Sequence, residues 1–193
     1  MDNFILYFKL GLNHVLDFNA YDHILFLIVL AVVYDSKQWK KLLWLITFFT
    51  IGHTITLALA TYELINIDIE LVEFLIPVTI FITGFANVIR VDKASLGKEK
   101  LNIIFALFFG LVHGLGFSNF FRGMIGKEED KLMPLLEFAI GIEASQVIIV
   151  LGILFVGTAL QMFTKMTKRD WVLVCSSIVI GVVLPMIQER IFW

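Results

Sequence analysis

One cysteine, Cys175, stands in 193 residues, so an intrachain disulfide and a thiolate metal site are both excluded. Charge is scarce as well. Asp, Glu, Lys and Arg make up 17% of the chain, the formal net charge is -2, and no long basic run offers a stripe for phosphates, which excludes nucleic acid as a partner. The chain has no Pro/Ser-rich linker, no low-complexity tract and no His-Glu-x-x-His pair, and it presents no serine or cysteine constellation suited to nucleophilic catalysis. Met124, Met133, Met162, Met166 and Met186 form no array with histidine, which argues against a copper(I) path. The first residues lack a basic start, a compact apolar core and a small-residue cleavage site, so no signal peptide is read and the first span is expected to direct insertion.

What the chain has is apolar surface. With 59% hydrophobic residues and a mean hydropathy of +0.90, it is too apolar for a soluble domain of this length and reads as an all-α integral membrane protein in a single membrane domain. Crossing a hydrocarbon layer of about 30 Å takes roughly 20 helical residues. Six apolar stretches bounded by polar breaks are predicted as spans, at 21–34, 39–62, 71–90, 101–124, 135–163 and 171–188, each read as uninterrupted. The first is short. The segment before it, 4–18, mixes Phe4, Leu6, Phe8 and Leu12 with Lys9, Asn13, His14 and Asp17, and is predicted as an amphipathic helix lying in the interface or dipping into it.

Basic residues set the expected orientation. Lys37, Lys40 and Lys41 follow the first span, Arg90, Lys93, Lys98 and Lys100 the third, and Lys165, Lys168 and Arg169 the fifth, so these loops are expected to be cytoplasmic and both termini extracytoplasmic. The loop after the second span carries Glu63, Asp68, Glu70 and Glu73 and no base. The loop after the fourth mixes Arg122, Lys127 and Lys131 with Glu128, Glu129 and Asp130.

All four histidines, His14, His23, His53 and His113, fall within or at the mouths of apolar segments. An ionisable group at membrane depth is costly and points to function. At about 1.5 Å rise per residue, His53 stands roughly 20 Å and His113 roughly 18 Å above the cytoplasmic ends of their spans. Glu143 lies about 12 Å below the outer end of its span on the same rise, and Asp22 and His23 open the first span with His14 just before them. These depths overlap in the outer half of the membrane. Thr47, Thr50 and His53 share one helix face, with Thr54 beside them, and Glu143 and Gln146 project from one face of the fifth span beside Gly141, Ala144 and Ser145.

His14, Asp22, His23, His53, His113 and Glu143 together form a mixed nitrogen and oxygen set of the kind that divalent Ni, Co, Zn or Fe accepts, with Thr50, Thr54 and Gln146 in support. Capture and transport of a divalent transition metal is the first reading. The second is an intramembrane zinc hydrolase acting on a lipid or lipidated substrate, with Asp22 or Glu143 as general base. The third is a non-catalytic accessory subunit whose polar groups bond between helices. The metal ion and the lipid bilayer are the expected partners, and homo-oligomerisation stays open.

The motifs themselves are familiar. The stretch His14 to Leu27 with its Asp22-His23-Ile-Leu-Phe-Leu run, Phe49-Thr50-Ile-Gly-His53-Thr54-Ile-Thr56-Leu57, Gly110-Leu-Val-His113-Gly114-Leu-Gly116-Phe117 and Gly141-Ile-Glu143-Ala-Ser-Gln146 resemble, in order, the motifs of the HupE/UreJ family of hydrogenase and urease accessory membrane proteins. The resemblance covers about Phe8 to Phe155. It implies a six-helix protein of the bacterial inner membrane, a nickel or cobalt permease whose histidine and acidic motif residues are the ligands. Two departures leave the metal open: Ala86 stands where an acid is expected before Asn87, and the first motif is spaced more widely than in hydrogenase-associated members.

Overall fold

A computed structural model describes residues 2–17, 21–91, 99–126 and 131–193. Among these residues every regular element is a helix. They are α1 (Asp2–Leu16), α2 (Asp22–Ala31), a 3-10 turn (Ser36–Gln38), α3 (Trp39–Thr61), α4 (Ile69–Arg90), α5 (Glu99–Gly116), α6 (Ser118–Ile125), α7 (Leu132–Phe163) and α8 (Lys168–Glu189). Lys93, Lys98 and residues 127–130, used above for orientation, and Phe18 at the end of the amphipathic segment lie outside the described residues.

Several boundaries have local causes. Asp68 caps α4 by accepting the amide of Glu70 at 3.0 Å. Thr167 and Asp170 form a reciprocal capping box that starts α8, with the Asp170 amide on the Thr167 hydroxyl at 3.2 Å and the Thr167 amide on the Asp170 carboxylate at 3.0 Å. Such caps satisfy the orphan amides of a first turn.

Four helices are long and apolar enough to cross a membrane: α3 with its preceding turn, α4, α7 and α8. A fifth is reached if α5 and α6 are one span, because they meet at a 54° bend. The expected continuous helix over 101–124 is therefore broken at Phe117. Gly114, Gly116 and Ser118 flank the break, and clustered glycine and serine are where helices kink. α1 and α2 are each too short to cross alone.

Two helix pairs pack so closely that glycine is required. A Cβ on Gly110 of α5 would lie 2.1 Å from the Phe49 carbonyl oxygen, and one on Gly52 of α3 would lie 2.3 Å from that of Leu107. Moving one turn along α5 to Gly114 moves the contact one turn along α3, to the His53 carbonyl, so these helices run parallel. α1 and α7 make the same kind of seam: a Cβ on Gly11 would meet the Phe138 carbonyl at 2.1 Å, and one on Gly141 that of Phe8 at 2.2 Å. Within a bilayer, where lipid is as apolar as leucine, such backbone approach is a main source of association.

That seam places α1. The amphipathic segment forms the predicted helix, but Tyr7, Gly11 and Val15 are buried against the bundle. Tyr7 packs on Phe121 of α6, and His14, two turns on, packs on Phe117. α2 likewise runs against α5, through His23 on His113, Phe26 on Phe109 and Tyr34 on Asn102. Both short helices thus oppose the α5–α6 direction and point the same way. α7 runs antiparallel to α3, joined by Thr61 with Lys131 at one end and Thr47 with Glu143 further along. α8 runs antiparallel to α4, joined by Arg190 with Glu73 at one end and Asn87 with Ser176 towards the other.

A candidate metal centre at two helix ends

The histidines meet where short helices stop. His14 lies in the last turn of α1 and His113 in the last turn of α5; His23 opens α2 behind Asp22, and His53 sits inside α3. Helix C-termini carry partial negative charge from unpaired carbonyls, so the ends of α1 and α5 favour a cation between them.

One nitrogen each of His14, His23 and His53 lie within 4.8 Å of one another. Ring centroids are 4.6 Å apart for His14 and His23, 5.7 Å for His14 and His53, and 5.3 Å for His23 and His113. His53 is 0% exposed, His113 1% and His23 4%, while His14 is half-buried. Five imidazole nitrogens there have no partner: Nε2 of His14, His23 and His113, and both nitrogens of His53. Burying polar atoms without partners is costly. An ion at the centre would satisfy them, so the donor set fits a divalent cation of borderline softness.

Two of the rings are oriented from behind. The Nδ1 of His23 faces the Asp22 carboxylate at 3.0 Å, and the Nδ1 of His113 faces the Phe109 carbonyl at 2.9 Å. Carboxylates and carbonyls only accept, so in both rings Nδ1 carries the hydrogen and Nε2 keeps its lone pair for a ligand. This backing fixes the tautomer and raises ligand basicity. Asp22 also accepts the His23 amide at 2.8 Å, so one carboxylate oxygen meets both the backbone and the ring of its neighbour.

Aromatic rings close the surroundings. Phe117, at the bend, lies 3.9 Å from the His14 ring between centroids; Phe138 stacks on Phe117 at 5.2 Å; Phe26 and Phe49 cover His113 at 5.5 and 5.2 Å. Excluding water strengthens any charge interaction inside.

Glu143 goes elsewhere. Its two oxygens take the Thr47 hydroxyl at 2.6 Å and the Thr50 hydroxyl at 2.5 Å. The Thr50 oxygen also lies 3.0 Å from the Ile46 carbonyl and 3.1 Å from Gln146 Oε1. Three acceptors compete for one hydroxyl hydrogen there. Gln146 is fully buried and its Nε2 has no partner, while the Thr54 hydroxyl turns back onto the Thr50 carbonyl at 2.8 Å. The expected set thus divides. Four histidines and Asp22 form one group, and Glu143, Gln146 and Thr50 form a second, one turn along α3 from His53. The aromatic wall, the Phe109 carbonyl and a buried unpartnered oxygen of Glu137 on α7 were not foreseen.

The family model described as HupE / UreJ protein matches residues 1–188, nearly the whole chain. No curated protein and no solved structure matches it.

Proposed function

The chain belongs to the HupE/UreJ family, and from that premise and the geometry above we propose that it binds a divalent transition-metal ion among His14, His23, His53 and His113 and carries it across the membrane. One observation carries the reading: five buried imidazole nitrogens with no protein partner converge at the ends of two helices. Imidazole suits Ni, Co and Zn alike, and the family favours nickel or cobalt. Asp22 offsets part of the ion's charge and holds His23. Ligands come from four separate helices, so binding ties α1, α2, α3 and α5 together.

The protein is multi-pass in the bacterial inner membrane, with α1 and α2 together making the first of six crossings. The ends bearing Lys37, Arg90 and Lys168 face the cytoplasm and both termini face outward. The hydrolase reading is weaker because neither acid is free to act as a base: Asp22 is engaged by His23 and Glu143 by two threonines. Glu143, Thr50 and Gln146 fit better as a second polar station on the cytoplasmic side of the histidines. The deciding experiment is element-resolved metal analysis of protein purified without added metal, alongside uptake of Ni²⁺ by cells. Protein free of transition metal, with uptake untouched by His53→Ala and His113→Ala, would end the proposal.

A further inference from the structure

A cavity of about 440 Å³ lies among α2, α4, α5 and α8, and its two ends differ in chemistry. Arg90 from the last turn of α4, Asn102 from the first turn of α5, and Lys168 and Arg169 from the start of α8 all line it. They share one end. Tyr34 ties two of them together there, its hydroxyl taking the Asn102 amide at 3.1 Å and its carbonyl the Lys168 ammonium. Because α4 and α8 are antiparallel, with Asn87 on Ser176 at 3.3 Å, the end of α4 that bears Arg90 lies beside the start of α8.

The other end is apolar. Val29, Ile82, Ala106 and Phe109 wall it, and at about 1.5 Å per residue Ile82 lies about 12 Å along α4 from Arg90. Asn87, between the two ends, has its amide nitrogen engaged by the Val29 carbonyl at 2.7 Å and by Ser176. Ile82 and Phe105 line the cavity and are still 52% and 46% exposed, so apolar surface at its edge, on α4 and α5, faces lipid.

The charge selects the guest. Among the described residues, three cations and no carboxylate line the cavity. Asp35 takes part of the Lys168 charge at 3.2 Å but is not one of the lining residues, and Asp170, next to Arg169, is occupied with Thr167. Such a lining repels a metal ion and attracts an anion. A free phosphate would leave the apolar walls uncovered, whereas an acyl chain removes them from water. A volume of this size is within the range of small-molecule sites. Basic pockets between spanning helices, at the cytoplasmic end, are where anionic lipid headgroups bind, and the planar fork of arginine suits a phosphodiester.

We propose that this cavity is a binding site for an anionic phospholipid, its phosphate held by Arg90, Lys168 and Arg169 and one acyl chain laid along α4 and α5 towards Ile82 and Phe109. The site is separate from the histidines and does not depend on the transport reading.

The test is lipid binding to the full chain, purified free of lipid in a non-ionic detergent with a chelator present, and followed by native mass spectrometry. Dioleoyl-phosphatidylglycerol should bind several-fold more tightly than dioleoyl-phosphatidylcholine, and inorganic phosphate should not displace it. Arg90→Gln and Arg169→Gln should each weaken phosphatidylglycerol about fivefold and leave phosphatidylcholine unchanged. Ala86→Phe, which fills the middle of the cavity, should abolish the tight binding; Ala86→Leu replaces it if that protein does not fold. Phosphatidylglycerol with a photoreactive acyl chain should attach to α4 between Ile82 and Arg90 or to α5 between Asn102 and Phe109. Equal binding of the two lipids, or arginine variants that bind as the unsubstituted chain does, overturns the headgroup assignment. Displacement by inorganic phosphate identifies a plain anion site and overturns the lipid. Attachment confined to other helices overturns the location.

Discussion

The Nδ1 of His23 stands 3.0 Å from Oδ1 of Asp22, its neighbour in the chain, and this contact leaves Nε2 without a partner on a ring that lies beside those of His14, His53 and His113. Asp22→Asn keeps an acceptor there and removes the charge. Losing such backing typically weakens metal affinity by about 10–100-fold, and competition with a chelating dye should find a loss in that range, with the number of ions bound at saturation unchanged.

Removing ligands should act on stoichiometry. His53→Ala with His113→Ala takes away three of the five unpartnered nitrogens, and the purified double variant should retain no transition metal. Binding only to the folded state stabilises by about 2.7 kcal/mol at a hundredfold excess of ion over Kd. A chelator should therefore lower the thermal midpoint of the unsubstituted protein and leave that of the double variant where it was.

Glu143 bonds Thr47 and Thr50, apart from the imidazoles. Glu143→Gln should leave the bound metal per chain intact while slowing Ni²⁺ uptake. A loss of bound metal equal to that of His53→Ala would place Glu143 among the ligands instead.

At Gly141 an added methyl would strike the Phe8 carbonyl at 2.2 Å. Overpacking of this kind costs about 1–3 kcal/mol, so Gly141→Ala should lower the midpoint of unfolding in detergent and reduce metal occupancy through His14. A helix resting loosely on the membrane surface would be indifferent to that change.

The histidines were legible because an imidazole is costly to bury in an apolar run unless it has something to bind there, and helical rise set His53 and His113 at comparable depths. Rise says nothing about rotation. Glu143 shares the depth range, but its direction from α7 is set by how α7 meets α3, which only packing decides. The bend at Phe117 was hidden because Gly114 and Gly116 serve equally for close packing and for ending a helix. Lys9, Asn13 and Asp17 gave α1 the polarity of a surface helix, while Tyr7, Gly11 and Val15 on its other face are buried against the bundle. The polar residues pointed to an interfacial helix, and a single mid-helix glycine gave no sign of the partner that buries the opposite face.

The seams have a consequence for biogenesis. Each joins an early helix to a late one, α1 to α7 and α3 to α5, so a ribosome that has delivered α1 to α4 has made two glycine edges with nothing to meet. α3 finds its partner when α5 emerges, and α1 waits for α7. The glycine seam that seats α1, and with it His14, closes only with that last docking, so a nascent chain completes the ligand set late, and premature release before α7 yields a protein that inserts but loads poorly.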